Sequence, residues 1–343
     1  MLTDQLISIV VVCYRDAGSI TELLRRLEIT MAEITPNWEV IYVNDDSPDE
    51  SEAILVDCAR NNPRLTVISH SRNFGAQTAF TTGMAQAIGD AVVIMDGDLQ
   101  DPPEMIADFV RHWMTGNDVV YGIRAERNEG IVRNMGYKIF YRILKRISYV
   151  ELPIDAGEFS LMDRVVVEAI LACPEGDRLI RGLRAYAGFR QVGIPFNRPP
   201  RYSGESTQSL LSYLMWAYKS FTSYSLFPLR IITTISFIMT AILFSMIVFY
   251  LVLWVIHSQT PEGYMTILIS QLLIGTVIML ALGIIGEYLG RMFLEIKARP
   301  QPIIRLLVND QRPTPRSWLG RPFDPLRLER DLAIRGKGRR DET

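Results

Sequence analysis

Along the first 125 residues, continuous apolar runs alternate with amphipathic stretches. The runs fall at 6–13, 38–43, 65–69, 91–95 and 118–121, and the helix-like stretches at 19–34, 50–61, 76–87 and 103–115. Strands this uniformly apolar are covered on both faces, and strand–helix alternation of this kind builds a parallel sheet through right-handed crossovers. Punctuation agrees with the periodicity. Ser47 and Asp49 offer capping oxygens ahead of the second helix, Asn62-Pro63 stops it, and Pro102-Pro103 opens the fourth. The expected fold class is α/β, a Rossmann-like and mostly parallel sheet covered by helices.

The pattern changes after Gly130. Val132, Met135, Ile139, Phe140, Ile143, Leu144 and Ile147 recur at helical spacing, with Arg133, Lys138, Arg142, Lys145 and Arg146 between them. Such a basic amphipathic helix suits the surface of an anionic membrane. A second interfacial helix is expected over 209–227, where Lys219 is the one charge, and it leads through Pro228 into the segment that follows. Residues 231–256 and 264–286 contain no charged side chain, and each is longer than the roughly 20 residues a helix needs to cross a bilayer. The link at 257–263 lacks Lys and Arg, whereas Arg230 precedes the first span and Arg291, Lys297, Arg299 and Arg305 follow the second. The positive-inside rule therefore puts both flanks in the cytosol and the link outside, with Tyr250, Trp254 and Tyr264 as an aromatic belt. Small residues in the second span (Gly275, Ala281, Gly283, Gly286) permit close helix contact or a homo-oligomer. The expected organisation is a cytosolic catalytic domain at 1–205, an interfacial helix at 206–229, a two-span membrane hairpin at 230–290 and a basic cytosolic tail at 291–343, weakly periodic and disordered at its end. Asp4 stands ahead of the first apolar run, which is thus a strand and not a signal peptide.

Bulk composition narrows the chemistry. A net charge of −2 gives no electrostatic case for nucleic acid. Three scattered cysteines and three scattered histidines supply neither a disulfide framework nor zinc-ligand spacing. No Gly-x-Gly-x-x-Gly follows the first strand and no Walker loop occurs, which disfavours a dinucleotide cofactor. What stands out is the end of the fourth strand, Met95-Asp96-Gly97-Asp98-Leu99-Gln100-Asp101-Pro102-Pro103. In extended chain, residues two apart point the same way, so Asp96 and Asp98 converge, with Gln100 behind them. An all-oxygen set of this kind suits Mg²⁺ or Mn²⁺ shared with substrate phosphates. Ligands of open α/β sheets bind outside the carboxyl ends of the strands. Cys13-Tyr14-Arg15-Asp16, Asn44-Asp45-Asp46-Ser47 and Ser71-Arg72-Asn73-Phe74-Gly75 should gather there too. Carboxylates at the ends of strands one and two can accept hydrogen bonds from a nucleobase or from ribose hydroxyls.

These motifs, with Arg201-Tyr-Ser-Gly-Glu-Ser206 and Gly286-Glu-Tyr-Leu-Gly-Arg291, span residues 6 to about 305. Together they resemble the family 2, GT-A-fold glycosyltransferases of the polyprenyl-phosphate type. That group contains the bactoprenol glucosyltransferases, the dolichol-phosphate mannose synthases and the undecaprenyl-phosphate aminoarabinose transferase. The resemblance implies that Asp16 and Asp45 contact the nucleoside, with Tyr14 also binding substrate, and that Asp96, Asp98 and Gln100 hold the metal on the diphosphate. It implies further that Arg124 and Arg133 contact phosphate, and that Arg201 and Ser206 lie near the acceptor. Glu158 and Asp155 would orient donor or acceptor; Asp98, Glu158 and Arg201 are the residues expected to carry catalysis. The chain departs from the family at Val12 (often Pro), Arg15-Asp16 (often Asn-Glu) and Asn44 and Asp46 (often Asp and Gly). Glu158 stands where bactoprenol glucosyltransferase-like members have Asp.

The implied reaction moves a sugar, with inversion, from a nucleotide-sugar (a UDP-sugar as first choice) to undecaprenyl phosphate. It would occur at the cytosolic face of the inner membrane, for cell-envelope glycan or lipopolysaccharide modification. Two alternatives stay open: a GDP-mannose-dependent dolichyl-phosphate mannosyltransferase, and a catalytically silent, membrane-tethered nucleotide-sugar-binding subunit. A processive synthase is disfavoured by the absence of a Gln-x-x-Arg-Trp motif.

Overall fold

A computed structural model describes residues 1–124, 156–176, 178–199, 202, 263–297, 299 and 302–310, with single positions between 232 and 256. In chain order the elements are β1 (Ile7–Cys13), α1 (Ile20–Ile34), β2 (Trp38–Asn44), α2 (Ser51–Asn61), β3 (Leu65–His70), α3 (Ala76–Gln86) and β4 (Ala91–Asp96). A 3₁₀ turn (Pro103–Met105) then leads into α4 (Ile106–Met114), β5 (Val119–Arg124), β6 (Ala156–Asp163), α5 (Arg164–Ala172), α6 (Ile180–Ala187) and β7 (Gln191–Phe196). The long α7 (Tyr264–Lys297) and the short β8 (Ile304–Val308) follow.

The described strands form one sheet in the order β7-β5-β6-β4-β1-β2-β3-β8. Its centre, β4-β1-β2-β3, is parallel as expected. β6 inserts antiparallel between β4 and β5, β7 lies parallel to β5, and β8 closes the other edge antiparallel to β3. Both faces are covered. Ile7, Ile9, Val11 and Cys13 of β1 pack with residues of α1, α2 and α4, whereas Val10 and Val12 pack with residues of α3, α5 and α6. Burying each such Val or Ile contributes roughly 1.5–3 kcal/mol, which makes the four-strand centre a rigid base for the loops at its carboxyl end. α3 lies close on β1: a Cβ at Gly83 would fall 2.2 Å from Val10 Cγ1.

β6, β7, β8, α5 and α6 add to the expected elements, β8 lying within the segment from Arg299 on. The return strand is held by more than its ladder. Asn309 Nδ2 donates to the carbonyls of Ala59 (2.7 Å) and Leu65 (3.1 Å), Ser71 N–H donates to Ile303 O (2.9 Å), and Thr66 Oγ1 donates to Asn309 O (2.7 Å).

The sheet and the residues from Arg299 on belong to one compact unit, and α7 to a second. Within α7, Leu273–Lys297 has a mean hydropathy of 1.9 and none of its described side chains is buried; among the described residues it is the one helix long and apolar enough to cross a membrane. It outruns the uncharged stretch and carries Glu287, Arg291, Glu295 and Lys297 in its last turns. The positions described between 232 and 256 are all helical. The interfacial helices expected at 130–150 and 209–227 lie outside the described residues.

Candidate active site

The loops after β1, β2 and β4 are tied to one another at the carboxyl edge of the sheet. Arg15 N–H donates to Ser47 Oγ (2.8 Å) and Ala17 N–H to Asp49 Oδ2 (3.2 Å), while Ser19 Oγ donates to Gly97 O (2.6 Å). Arg15 and Asp46 both adopt left-handed backbone, φ 63° and 55°. Asp46 therefore takes a conformation that glycine adopts without strain, and Asp tolerates it better than most residues. Tyr14 lies at the rim with the Arg15 guanidinium 5.4 Å from its ring, and its N–H donates to Asp16 Oδ2 (3.1 Å). Tyr14 and Asp16 thus stand together at this edge.

Asp45 is different. It is only 2% exposed. Its Oδ1 meets His70 Nδ1 (2.7 Å) and accepts from Phe74 N–H (2.9 Å), and its Oδ2 accepts from Gly75 N–H (2.7 Å). His70 is itself buried, with Nε2 2.9 Å from Thr82 Oγ1. Both Asp45 oxygens are thus engaged inside the protein, where they set the 71–75 loop at the head of α3.

The acidic turn begins where β4 ends, at Asp96. Gly97 lies so close to β1 that a Cβ would come 2.9 Å from Val12 O and 3.0 Å from Tyr42 Oη. Leu99 has φ 60° and is buried. The chain therefore turns instead of staying extended, and the two aspartates differ: the Asp96 side chain is 39% exposed, Asp98 only 4%. Asp101, which the sequence reading passes over, is equally buried and accepts the Asp96 N–H (3.2 Å). Desolvation, then repulsion from Asp101 and Asp98, raises Asp96 to about 8, against the opposing pull of Arg198. Gln100 Nε2 donates to Pro199 O (3.2 Å). Arg198, also passed over, brings Nη2 to 3.9 Å from Asp96 Oδ2, and Tyr202 N–H reaches Asp98 O at 3.5 Å.

No group of three His, Cys, Asp or Glu side chains among the described residues is arranged as a complete metal cage. The donor chemistry nevertheless fits a hard divalent ion that takes its other ligands from substrate. Carboxylates crowded until one of them resists ionisation favour a cation between them. Asp96 and Asp98 would hold it.

Glu158, on β6, adds its repulsion to that on Asp96. Gln77 Nε2 donates to its Oε1 (3.1 Å) and Arg181 Nε lies 3.7 Å from the same oxygen. Arg124 ends β5 in register with Phe196. Arg133, Asp155, Arg201 and Ser206 lie outside the described residues.

Residues 8–171 match the model of glycosyl transferase family 2. The uncharacterized glycosyltransferase YkcC of Bacillus subtilis is 37% identical over 301 residues, 87% of this chain and 93% of that protein. The chain belongs to glycosyl transferase family 2. This family 2 chain is also 33% identical, over 270 residues, to the prophage bactoprenol glucosyl transferase homolog of Escherichia coli, covering 78% of itself and 88% of the relative. A more remote likeness joins it to the glucosyl-3-phosphoglycerate synthase of Mycobacterium tuberculosis, solved with Mn²⁺, UDP and phosphoglyceric acid. There the identity is 14%, the coverage 63% of this chain and 75% of that one, and the TM-score 0.45.

Proposed function

We propose that this glycosyltransferase moves a sugar, with inversion, from a nucleoside diphosphate sugar to the phosphate of a polyprenyl phosphate at the cytosolic face of the inner membrane. The observation that carries the donor half is the acidic turn of Asp96, Asp98 and Asp101 beside the tied loops after β1 and β2. The acceptor half is supported by likeness to bactoprenol glucosyl transferases over 78% of the chain. It is supported also by the long apolar α7.

In this reading Tyr14 and Asp16 receive the nucleoside, on a floor that Asp45 and Asp49 hold in place. Asp96 and Asp98 bind the divalent ion, Mg²⁺ or Mn²⁺, which when present neutralises charge on the leaving diphosphate. Arg198, with Arg124, Arg133 and Arg201, supplies positive charge for donor and acceptor phosphates. An acceptor phosphate monoester has a second pKa near about 6, so it arrives mostly as a dianion and needs no base to free its lone pair. Glu158 and Asp155 then orient substrate. The spans at 231–256 and in α7 form a hairpin that keeps the site at the headgroup plane, where the phosphate of an isoprenoid lipid resides.

The test is transfer by the full-length protein in detergent micelles, using undecaprenyl phosphate and labelled UDP- and GDP-sugars with and without EDTA. Label should enter the organic phase, and both EDTA and Asp98→Ala should abolish it. Binding of nucleotide-sugar without transfer from any donor would overturn the reading in favour of a silent binding subunit.

A further inference from the structure

The side chain that this mechanism leaves unexplained is Arg184 on α6. It is fully buried, at 0% exposure. Its guanidinium lies 4.8 Å from the Tyr121 ring centroid, and Nη2 donates to Gly157 O at 3.3 Å. Nε and Nη1 have no hydrogen-bond partner among the described residues. Burial lowers its pKa to about 10, an effect that Glu158 opposes, so the group is a cation at neutral pH. A position needing volume alone would be filled more stably by Met or Leu, because a buried guanidinium loses hydration that two orphaned donors do not recover. Glu158, one residue beyond the carbonyl that Arg184 touches, is a negative charge that offsets this burial, and Arg181 Nε stands 3.7 Å from its Oε1 on the same helix.

Glu158 is itself only half engaged. Oε1 takes the Gln77 amide, while Oε2 is buried with no hydrogen-bond partner among the described residues. The same Gln77 accepts the Ile180 N–H through Oε1 (2.7 Å), capping the helix that carries Arg181 and Arg184. One amide therefore fixes both the carboxylate and the helix that brings cations to it. We propose that Arg184 is a positioning residue for Glu158: with Gln77 clamping Oε1, its buried charge holds the carboxylate so that Oε2 accepts a hydroxyl of the donor sugar. A hydroxyl suits that oxygen, since a carboxylate accepts hydrogen bonds and repels a phosphate dianion. This deepens the transferase reading and rests on its donor half.

The experiment uses the full-length protein in detergent with Arg184→Met, Arg184→Lys, Glu158→Gln and the double variant Arg184→Met/Glu158→Gln. Affinities for the free nucleoside diphosphate and for the nucleotide-sugar are measured by calorimetry, beside transfer rates and Tm. Arg184→Met should weaken nucleotide-sugar binding or kcat/KM by about tenfold or more and leave free nucleotide affinity unchanged. Arg184→Lys should recover most of that loss. The double variant should be no worse than Glu158→Gln alone and should have a higher Tm than either single variant, because it removes both buried charges together. Equal losses for nucleotide and nucleotide-sugar, or losses that add in full, would overturn the proposal. If Arg184→Met does not fold, folding of the double variant supports the pairing and its failure to fold refutes it. A wild-type protein that binds nucleotide-sugar but moves no sugar would sink the transferase reading, while the binding and Tm comparisons would still judge Arg184.

Discussion

Asp96 and Glu158 are both carboxylates of one site, yet they ask for different things. Asp96 sits among like charges, and desolvation with the repulsion of Asp101 and Asp98 keeps its proton until about pH 8. The unfolded chain gives up that proton near pH 4, at the ordinary carboxylate pKa. Between those limits the folded, metal-free protein binds more protons than the unfolded one, so its stability falls as pH rises. Thermal melts of metal-free protein should show a lower Tm at pH 8 than at pH 6, and Asp96→Asn should flatten that slope. Mn²⁺ competes with the same proton, so its affinity should climb with pH up to about 8; a pH-independent Kd would refute this account. For catalysis, Asp98→Asn should reduce kcat by roughly 10²–10³-fold, the scale of losing a stabiliser of developing charge. Glu158→Gln should cost clearly less, because the acceptor needs no base; equal and near-total losses would show that it does. The Asp96–Asp98 pair is legible in the sequence because two charges directly after an apolar strand have few structural uses. The bonds that Asp45 makes to His70, Phe74 and Gly75 are not, since they depend on which backbone groups fold over it. Arg184 is hidden for a related reason: nothing local distinguishes a buried Arg from a solvated one on a short helix.

At the scale of elements, the legible half of the catalytic unit is the half built from continuous apolar runs. β1 to β4 lie where their periodicity puts them, because parallel central strands are apolar on both faces. β6 escapes notice since Glu158 and Ser160 interrupt it, and β7 since Gly193 and Pro195 mark it as an edge strand. β8 is short and comes after a long excursion of the chain, so its partner is set by tertiary pairing alone. That pairing has a measurable consequence. β8 covers the β3 edge, and an uncovered edge is open to pairing with other chains. A chain ending at Lys297 should aggregate more readily and melt lower by on the order of 10 °C, as expected for a loss of a few kcal/mol in a domain of this size. Asn309→Val should capture part of the effect, because Asn309 holds φ 57° and its amide bonds three carbonyls. Tm and light scattering measured together would separate lost stability from exposed edge. Similarly, Gly97→Ala should displace the acidic turn, since its Cβ meets backbone oxygen at 2.9 Å; donor affinity should fall even where the protein stays folded.

For the whole molecule, the proposed reaction asks how a donor site is kept beside an acceptor that stays in the bilayer. The apolar helix α7 is long enough to span: 34 residues rise about 51 Å, beyond the roughly 30 Å of hydrocarbon. Its charged last turns, with Arg291 and Lys297, would then stand outside the core on the side where the chain returns to β8. If residues 231–256 span as well, the link at 257–263 lies across the membrane from the catalytic unit. Single cysteines at Gln259 and at Gln191 of β7, in a chain with Cys13, Cys58 and Cys173 replaced, decide between the arrangements. In intact cells a membrane-impermeant maleimide should label position 259 and leave 191 untouched; disrupting the membrane should expose both. Labelling of both or neither in intact cells would refute the hairpin. Alkaline extraction of the same membranes adds the second half of the argument. A chain anchored by a hairpin stays with the pellet, whereas one held only by basic surface helices comes off as the charge on the protein changes. Retention in the pellet together with sided labelling would place a cytosolic donor site and a bilayer-bound phosphate at the same interface, the geometry the transfer requires.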